Sequence, residues 1–272
     1  MSTYINTPYQ DLAGVAASFK KQYAEGNPFP HISFTNFFNP EFLEEVLAEF
    51  PDLSTLDTYK FKNPNEIKFA SKGENGMGPK IREFVHFLNS EPFLKFVQEL
   101  SSIKETLVGD PYFIGAGLHE IKRGGLLKVH ADFNKHSLTG LDRRLNVLVY
   151  LNKDWKEGYG GHFELWDREM QKAEKKILPA FNTLAMFSTT DFSYHGHPDP
   201  LNCPAERSRK SIALYYYSNG RPEEEINEGL VDHSTLFKAR KGHEREVVRQ
   251  QLNWRQQVKR FIPPVLLDLI KK

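Results

Sequence analysis

The sequence predicts an α+β protein with a mainly β core, a barrel or jelly roll carrying a layer of helices. Three observations predict it. Short apolar strands recur at even spacing, punctuated by Gly, Pro, Asn and Asp, between residues 106 and 220. Ahead of them, apolar residues recur at helical spacing. The chain also carries 21 Phe, 11 Tyr and 3 Trp, a payload suited to a packed core rather than disorder. Residues 1–105 are expected to form a helical support region, 106–220 the β core and 221–272 a helical extension, together one compact domain.

The elements follow in order. Leu12, Val15, Ala16, Phe19 and Tyr23 fall on one helical face, and the stretch from Gly26 to Pro30 breaks that helix. His31 to Phe34 is a short strand. Asn39 and Pro40 open a second helix, Asn as the cap and Pro at the first position, where its missing N–H costs nothing. That helix runs through Phe42, Val46, Leu47 and Phe50 to Pro51. Residues 52–78 are polar and rich in Gly and Asn, and are expected to be a surface loop. Ile81, Phe84, Val85 and Leu88, then Phe93, Phe96 and Leu100, extend the helical layer across a pause at Ser90 to Pro92. Strands are expected over 111–123, 126–131, 143–152, 160–167, 177–179, 183–187 and 210–218. Residues 221–272 read as charged and helical, ending in the apolar run from Phe261 to Ile270, which is expected to pack on the protein's own core.

The net charge of +1 gives no electrostatic case for nucleic acid or an anionic membrane. A single cysteine, Cys203, allows no internal disulfide and points to a reducing, cytoplasmic setting. The first residues show neither a basic stretch nor an apolar core of a signal peptide, and no 18-residue apolar run suggests a membrane span.

The chemistry centres on His130-Ala131-Asp132. On a strand, residues two apart share a face, so one segment can present an imidazole and a carboxylate side by side. A second His-x-Asp match, at His197 and Asp199, sits around Pro198 in a Pro- and Gly-rich stretch expected to be a loop. His195 is a candidate third ligand. Two His and one carboxylate on one side of a metal is the ligand set of non-heme Fe(II) sites. Downstream, Arg209 and Ser211 share a strand face by alternation and together suit a carboxylate. The competing reading for that basic cluster is a solvated loop. His136 and His162 are candidates for a substrate pocket. His31, His86, His233 and His243 are expected to be structural or on the surface.

In combination, His130 with Asp132, the strand ending at Tyr150 and leading to Trp155, Gly160-Gly161, His195, and Arg209 with Ser211 resemble the Fe(II)/2-oxoglutarate dioxygenases of the prolyl 4-hydroxylase-like branch. The resemblance covers roughly residues 110–220. It implies a double-stranded β-helix (jelly roll), Fe(II) held by His130, Asp132 and His195, and 2-oxoglutarate clamped by Arg209, with O2 as the oxidant. Tyr150 matches a hydroxyl donor to the cosubstrate, and Phe163 an apolar wall. The family pattern favours His195 over His197. Two departures stand out. Fourteen positions separate His195 from Arg209, with Pro200 to Pro204 as an inserted loop, and Lys210 is the alternative clamp. Ile121 stands where many relatives have Tyr, and His119, on the same strand face, can take its place.

Asp132 fills the third protein site, which in this superfamily implies hydroxylation, with desaturation or ring closure as alternatives, rather than halogenation. The expected reaction is hydroxylation of an unactivated C–H of a small-molecule or biosynthetic metabolite. The alternative is a peptidyl-prolyl hydroxylase, and, from another class, a non-redox cupin-like metal- or sugar-binding protein. Substrate contacts are expected from the loop 133–143, the stretch 55–78 and the C-terminal segment.

Overall fold

The helical spacing of the first hundred residues becomes four helices in the computed structural model, which describes residues 3–227 and 232–248. Helix α1 spans Leu12–Ala24, with the Asp11 side chain accepting from the Gly14 N–H at its start. Helix α2 spans Pro40–Ala48, where Asn39 accepts from the amides of Glu41 and Phe42. Helices α3 (Pro79–Leu88) and α4 (Glu91–Ser101) both begin with a proline in the first turn. Their apolar stripes bury Phe84, Phe93 and Phe96 almost completely. Each such ring contributes roughly 1.5–3 kcal/mol relative to exposure.

The helices pack on one face of an antiparallel sheet. Its strands are β1 (His31–Thr35), β2 (Tyr59–Asn63), β3 (Glu66–Ala70), β4 (Gly117–Lys122), β5 (Leu126–Ala131), β6 (Asp142–Tyr150), β7 (Phe163–Trp166), β8 (Ala173–Ile177), β9 (Thr183–Ser188), β10 (His195–His197), β11 (Ser208–Ser218) and β12 (Leu236–Phe237). Their order is β1-β9-β6-β11-β4-β3-β5-β10-β7-β8, with β2 on β3 and β12 on β5. This is the expected double-stranded β-helix.

Period-two alternation divides the work of the central strands. On β6, Leu145, Val147 and Val149 join the helix-facing core, as do Ile212, Leu214 and Tyr216 on β11. The intervening Asn146, Leu148 and Tyr150, with Arg209, Ser211 and Tyr215, line a cavity on the other side. The same alternation that buries the helices therefore delivers polar groups to one enclosed space.

Several expectations need correcting. Residues 52–78 contain the hairpin β2–β3 rather than only a loop. Phe61, Ile67 and Phe69 alternate with lysines, and the register Tyr59↔Ala70 to Asn63↔Glu66 closes a tight turn. The strand expected from residue 111 begins only at Gly117. His197 lies on β10, not in a loop. At the C-terminal end, one short helix, α5 (Glu223–Asn227), is followed by an extended strap over 232–248 that includes β12. The apolar run from Phe261 to Ile270 lies outside the described residues.

One buried amide ties the N-terminal layer to the sheet. Asn182, with φ +59°, accepts from the Phe38 N–H and donates to the Phe38 carbonyl at 2.9 and 2.8 Å. Truncation leaves both buried Phe38 groups unpaired. Asn182→Ala is therefore expected to destabilise the fold by about 3 kcal/mol, read as a shift in urea unfolding midpoint. A change within experimental error would show that this tie is dispensable.

Candidate active site

Strand pairing brings two imidazoles together. His130 on β5 is directly opposite His195 on β10, and their ring centroids are 4.4 Å apart. Each ring has its Nδ1 beside the main-chain carbonyl two residues before it, Lys128 at 2.9 Å and Ser193 at 2.8 Å. Donation to those carbonyls places the proton on Nδ1 and leaves both Nε2 lone pairs facing inward. Asp132, one residue past the end of β5, completes the group. Its Oδ1 lies 3.6 Å from His130 Nε2, and its Oδ2 lies 3.4 Å from His195 Nε2. One ligand atom from each of the three lies within 4.8 Å of the others, all in buried residues.

Asp132 is held from behind. Its Oδ2 accepts from Asn146 Nδ2 at 2.6 Å and from Arg143 Nη2 at 3.0 Å. Arg143 is fully buried, between the rings of Tyr215 and Phe133, 3.4 and 4.4 Å from their centroids. Burial alone would raise the Asp132 pKa, but Arg143, then His195 and His130, hold it well below the usual carboxylate range. Oδ2 is thus committed to Asn146 and Arg143, while Oδ1 stays open to a ligand. Burial, aided by His130, pushes the His195 imidazole down to about 3, so it remains neutral and able to ligate.

A narrow cavity of about 70 Å³ runs from these three residues to Arg209. Arg209 donates through Nε to the Gly161 carbonyl at 2.8 Å and through Nη2 to the Tyr150 hydroxyl at 3.1 Å. Gly161, at φ +71°, leaves no room for a side chain: a Cβ there would stand 2.5 Å from Leu201 and 3.0 Å from Arg209. Ser211 faces Tyr150 on one neighbouring strand and His119 on the other. Phe163 packs edge-on to His195 and lines the same space. All five residues expected around the cosubstrate, Arg209, Ser211, Tyr150, Phe163 and His119, line this one cavity.

Residues 116–217 match the model of the 2OG-Fe(II) oxygenase superfamily. This segment is a 2OG-Fe(II) oxygenase core. Among solved structures, a prolyl-4-hydroxylase from Pseudomonas putida is similar at 12% identity and a TM-score of 0.53, covering 76% of this chain and 100% of that one. A prolyl hydroxylase from Trichoplax adhaerens, solved in complex with a peptide fragment of the hypoxia inducible factor oxygen degradation domain, is similar at 18% identity and a TM-score of 0.56, covering 83% and 98%. At these identities the likeness is one of fold. The oxygenase uses Fe(II), 2-oxoglutarate and O2, and the donor set suits the metal: two imidazoles and one carboxylate, all buried, bring their ligand atoms within 4.8 Å of one another.

Not every candidate joins the cavity. Lys210 points elsewhere, to Ser208 and Glu120. His136 is buried, accepting from the amides of Leu138 and Thr139 and paired with Asp110 at 3.1 Å, so it pins a loop of the oxygenase. His162 pairs with Glu157 and lies outside the cavity. Conversely, Lys68, Asn146 and Arg143 belong to the site or its support, although the sequence pattern does not single them out for it, and His197, set aside there in favour of His195 as a ligand, lines the cavity. Lys68 is brought in by the unexpected hairpin. The Arg143-Arg144 pair reads as a polar strand start until folding brings the Asp132 carboxylate against Arg143.

Burial, reinforced by Lys68, pushes His119 down to about 3 from its ordinary 6.5. Between those values the unfolded chain binds the proton that the folded protein excludes, so stability rises with pH across that window. Metal-free protein is expected to lose stability on acidification from about pH 7 to about pH 5, and His119→Gln to weaken that dependence. An identical slope in urea unfolding midpoints would remove His119 from the balance.

Proposed function

We propose that this oxygenase hydroxylates an unactivated C–H of a small molecule, with Fe(II) held by His130, Asp132 and His195 and the far carboxylate of 2-oxoglutarate held by Arg209. The observation that carries the reading is convergence: the three ligand residues and the Arg209, Tyr150 and Ser211 clamp line one narrow cavity. A non-redox metal- or sugar-binding protein has no need of the clamp. When bound, the metal and keto acid supply oxidation by O2, with 2-oxoglutarate consumed as the two-electron co-reductant.

The chain's own residues do the rest. The two main-chain carbonyls fix the imidazole tautomers. Arg143 and Asn146 aim Asp132. Arg209 offers its guanidinium to a carboxylate, with the Tyr150 hydroxyl beside it and Ser211 also on the cavity wall. Ile121, Leu127, Leu148 and Phe163 supply apolar wall that excludes water. The small-molecule reading is supported by β5 itself. Its edge opposite β10 is taken by β3 at Leu126 and Leu127 and by β12 at His130 and Ala131. An extended peptide therefore finds no open edge on the ligand strand. The buried free thiol of Cys203 fits action in the cytoplasm. Among the described residues, no helix is long and apolar enough to cross a membrane.

Anaerobic titration with Fe(II) and then 2-oxoglutarate is expected to give the visible charge-transfer absorption of a chelated keto acid in wild type and none in His195→Ala. Arg209→Ala is expected to keep Fe(II) binding and weaken 2-oxoglutarate by roughly 10–100-fold. Metal binding without that absorption in wild type would favour the non-redox alternative. Asn146→Ala is expected to lower Fe(II) affinity by roughly tenfold or more. Succinate formation stimulated by prolyl peptides and by no small metabolite would replace the small-molecule reading with the peptidyl one.

A further inference from the structure

His197 is left over by the site described above. It is 3% exposed, and neither of its ring nitrogens makes a hydrogen bond among the described residues. The backbone of Asp199 bears on the ring without reaching hydrogen-bond geometry. The imidazole lines the same cavity as Arg209 and Tyr150, yet it stands outside the ligand cluster of His130, Asp132 and His195. The strand explains the placement. His195 and His197 are two apart on β10, and the register slips between them, His195 opposite His130 but His197 opposite Leu127. Gly196 allows the close approach, since a Cβ there would stand 2.8 Å from the Leu127 carbonyl.

A buried polar ring without partners is costly, and an apolar residue of similar size would fill the space without that cost. The arrangement makes sense if the partner arrives with a ligand. His197 shares the cavity wall with Arg209, Tyr150 and Ser211, the residues of the clamp. We propose that His197 is a further binding residue for 2-oxoglutarate, donating a ring N–H to an oxygen of the keto acid once it occupies the cavity. This rests on the cosubstrate site proposed above. It makes the site more selective for an oxygen-rich ligand than Arg209 and Tyr150 alone.

The test compares wild type, His197→Val and His197→Asn in three measurements: thermal melting without ligand, Fe(II) affinity without 2-oxoglutarate, and 2-oxoglutarate affinity by anaerobic titration. Val is expected to melt no lower than wild type, because it removes an unpaired group. It is expected to bind Fe(II) as wild type does and 2-oxoglutarate about tenfold more weakly. Asn restores a donor and is expected to recover most of that loss. Wild-type affinity for 2-oxoglutarate in His197→Val would overturn the proposal, as would a loss of Fe(II) affinity of the same size, which would mean that His197 acts only by propping His195. If wild type itself bound no 2-oxoglutarate, the cosubstrate reading would fall first, and this inference with it.

Discussion

The site depends on one cross-strand pair, His130 on β5 opposite His195 on β10. The two lie far apart in sequence and meet only because the sheet curls until these strands become neighbours. The path from Arg209 to that pair runs from β11 through β4 and β3 to β5 and β10. Strand β3 is the link. It pairs through Phe69 and Ala70 with β4, and through Glu66 and Ile67 with β5. The distance between Arg209 and the His130–His195 pair is therefore set by a strand that, by composition, belongs to the protein's surface. An extra or missing residue in β3 would flip its alternation and move Lys68 out of the cavity.

Electrostatics impose the second constraint. A buried carboxylate is expensive unless it is paired, and a buried pair is stabilising only when its hydrogen bonds are well made. Asp132 meets this through two donors on one oxygen, and Arg143 through Asn146 and two aromatic faces. One Arg143 nitrogen, Nη1, makes no hydrogen bond. The network is thus directed at the carboxylate rather than saturated around the guanidinium. That asymmetry suits a ligand position: one oxygen, Oδ2, is held by two donors, and Oδ1 is not.

Much of this is legible in the sequence, and the reason is periodicity. The helices, β6, β9 and β11 bury one face against a large core, so their apolar residues repeat cleanly and alternation places Arg209, Ser211 and Tyr150 together. His130 and Asp132 are legible for the same reason. The hairpin β2–β3 is not, because β2 is an edge strand and β3 pairs with β4 and β5 through only two residues each. Tyr59 is 47% exposed and Ile67 39%, and a strand with no dry face carries lysines where a core strand carries valines. Strand β10 is hidden by its length of three residues and by Pro198, which follows it at once. The strap at 232–248 has the composition of a charged helix, but its charges are structural, Arg240 bridging Asp199 and Glu246 while Glu246 also reaches Lys128. Charge that forms long-range pairs has no local period to read.

The strap and the hairpin meet on one strand. Both elements add to β5, the strand that carries His130, and they take the parts of its edge that β10 leaves free. The Phe237 ring on β12 stands 5.5 Å from the His130 ring on β5. His233 anchors the near end through Asp191 at 2.7 Å and through the side chain of Asn134. These ties fall within a few residues of Asp132 and His195. A segment so anchored cannot shift without disturbing the strand that presents the ligands. The strap, the hairpin and the His130–His195 pair are therefore coupled through β5.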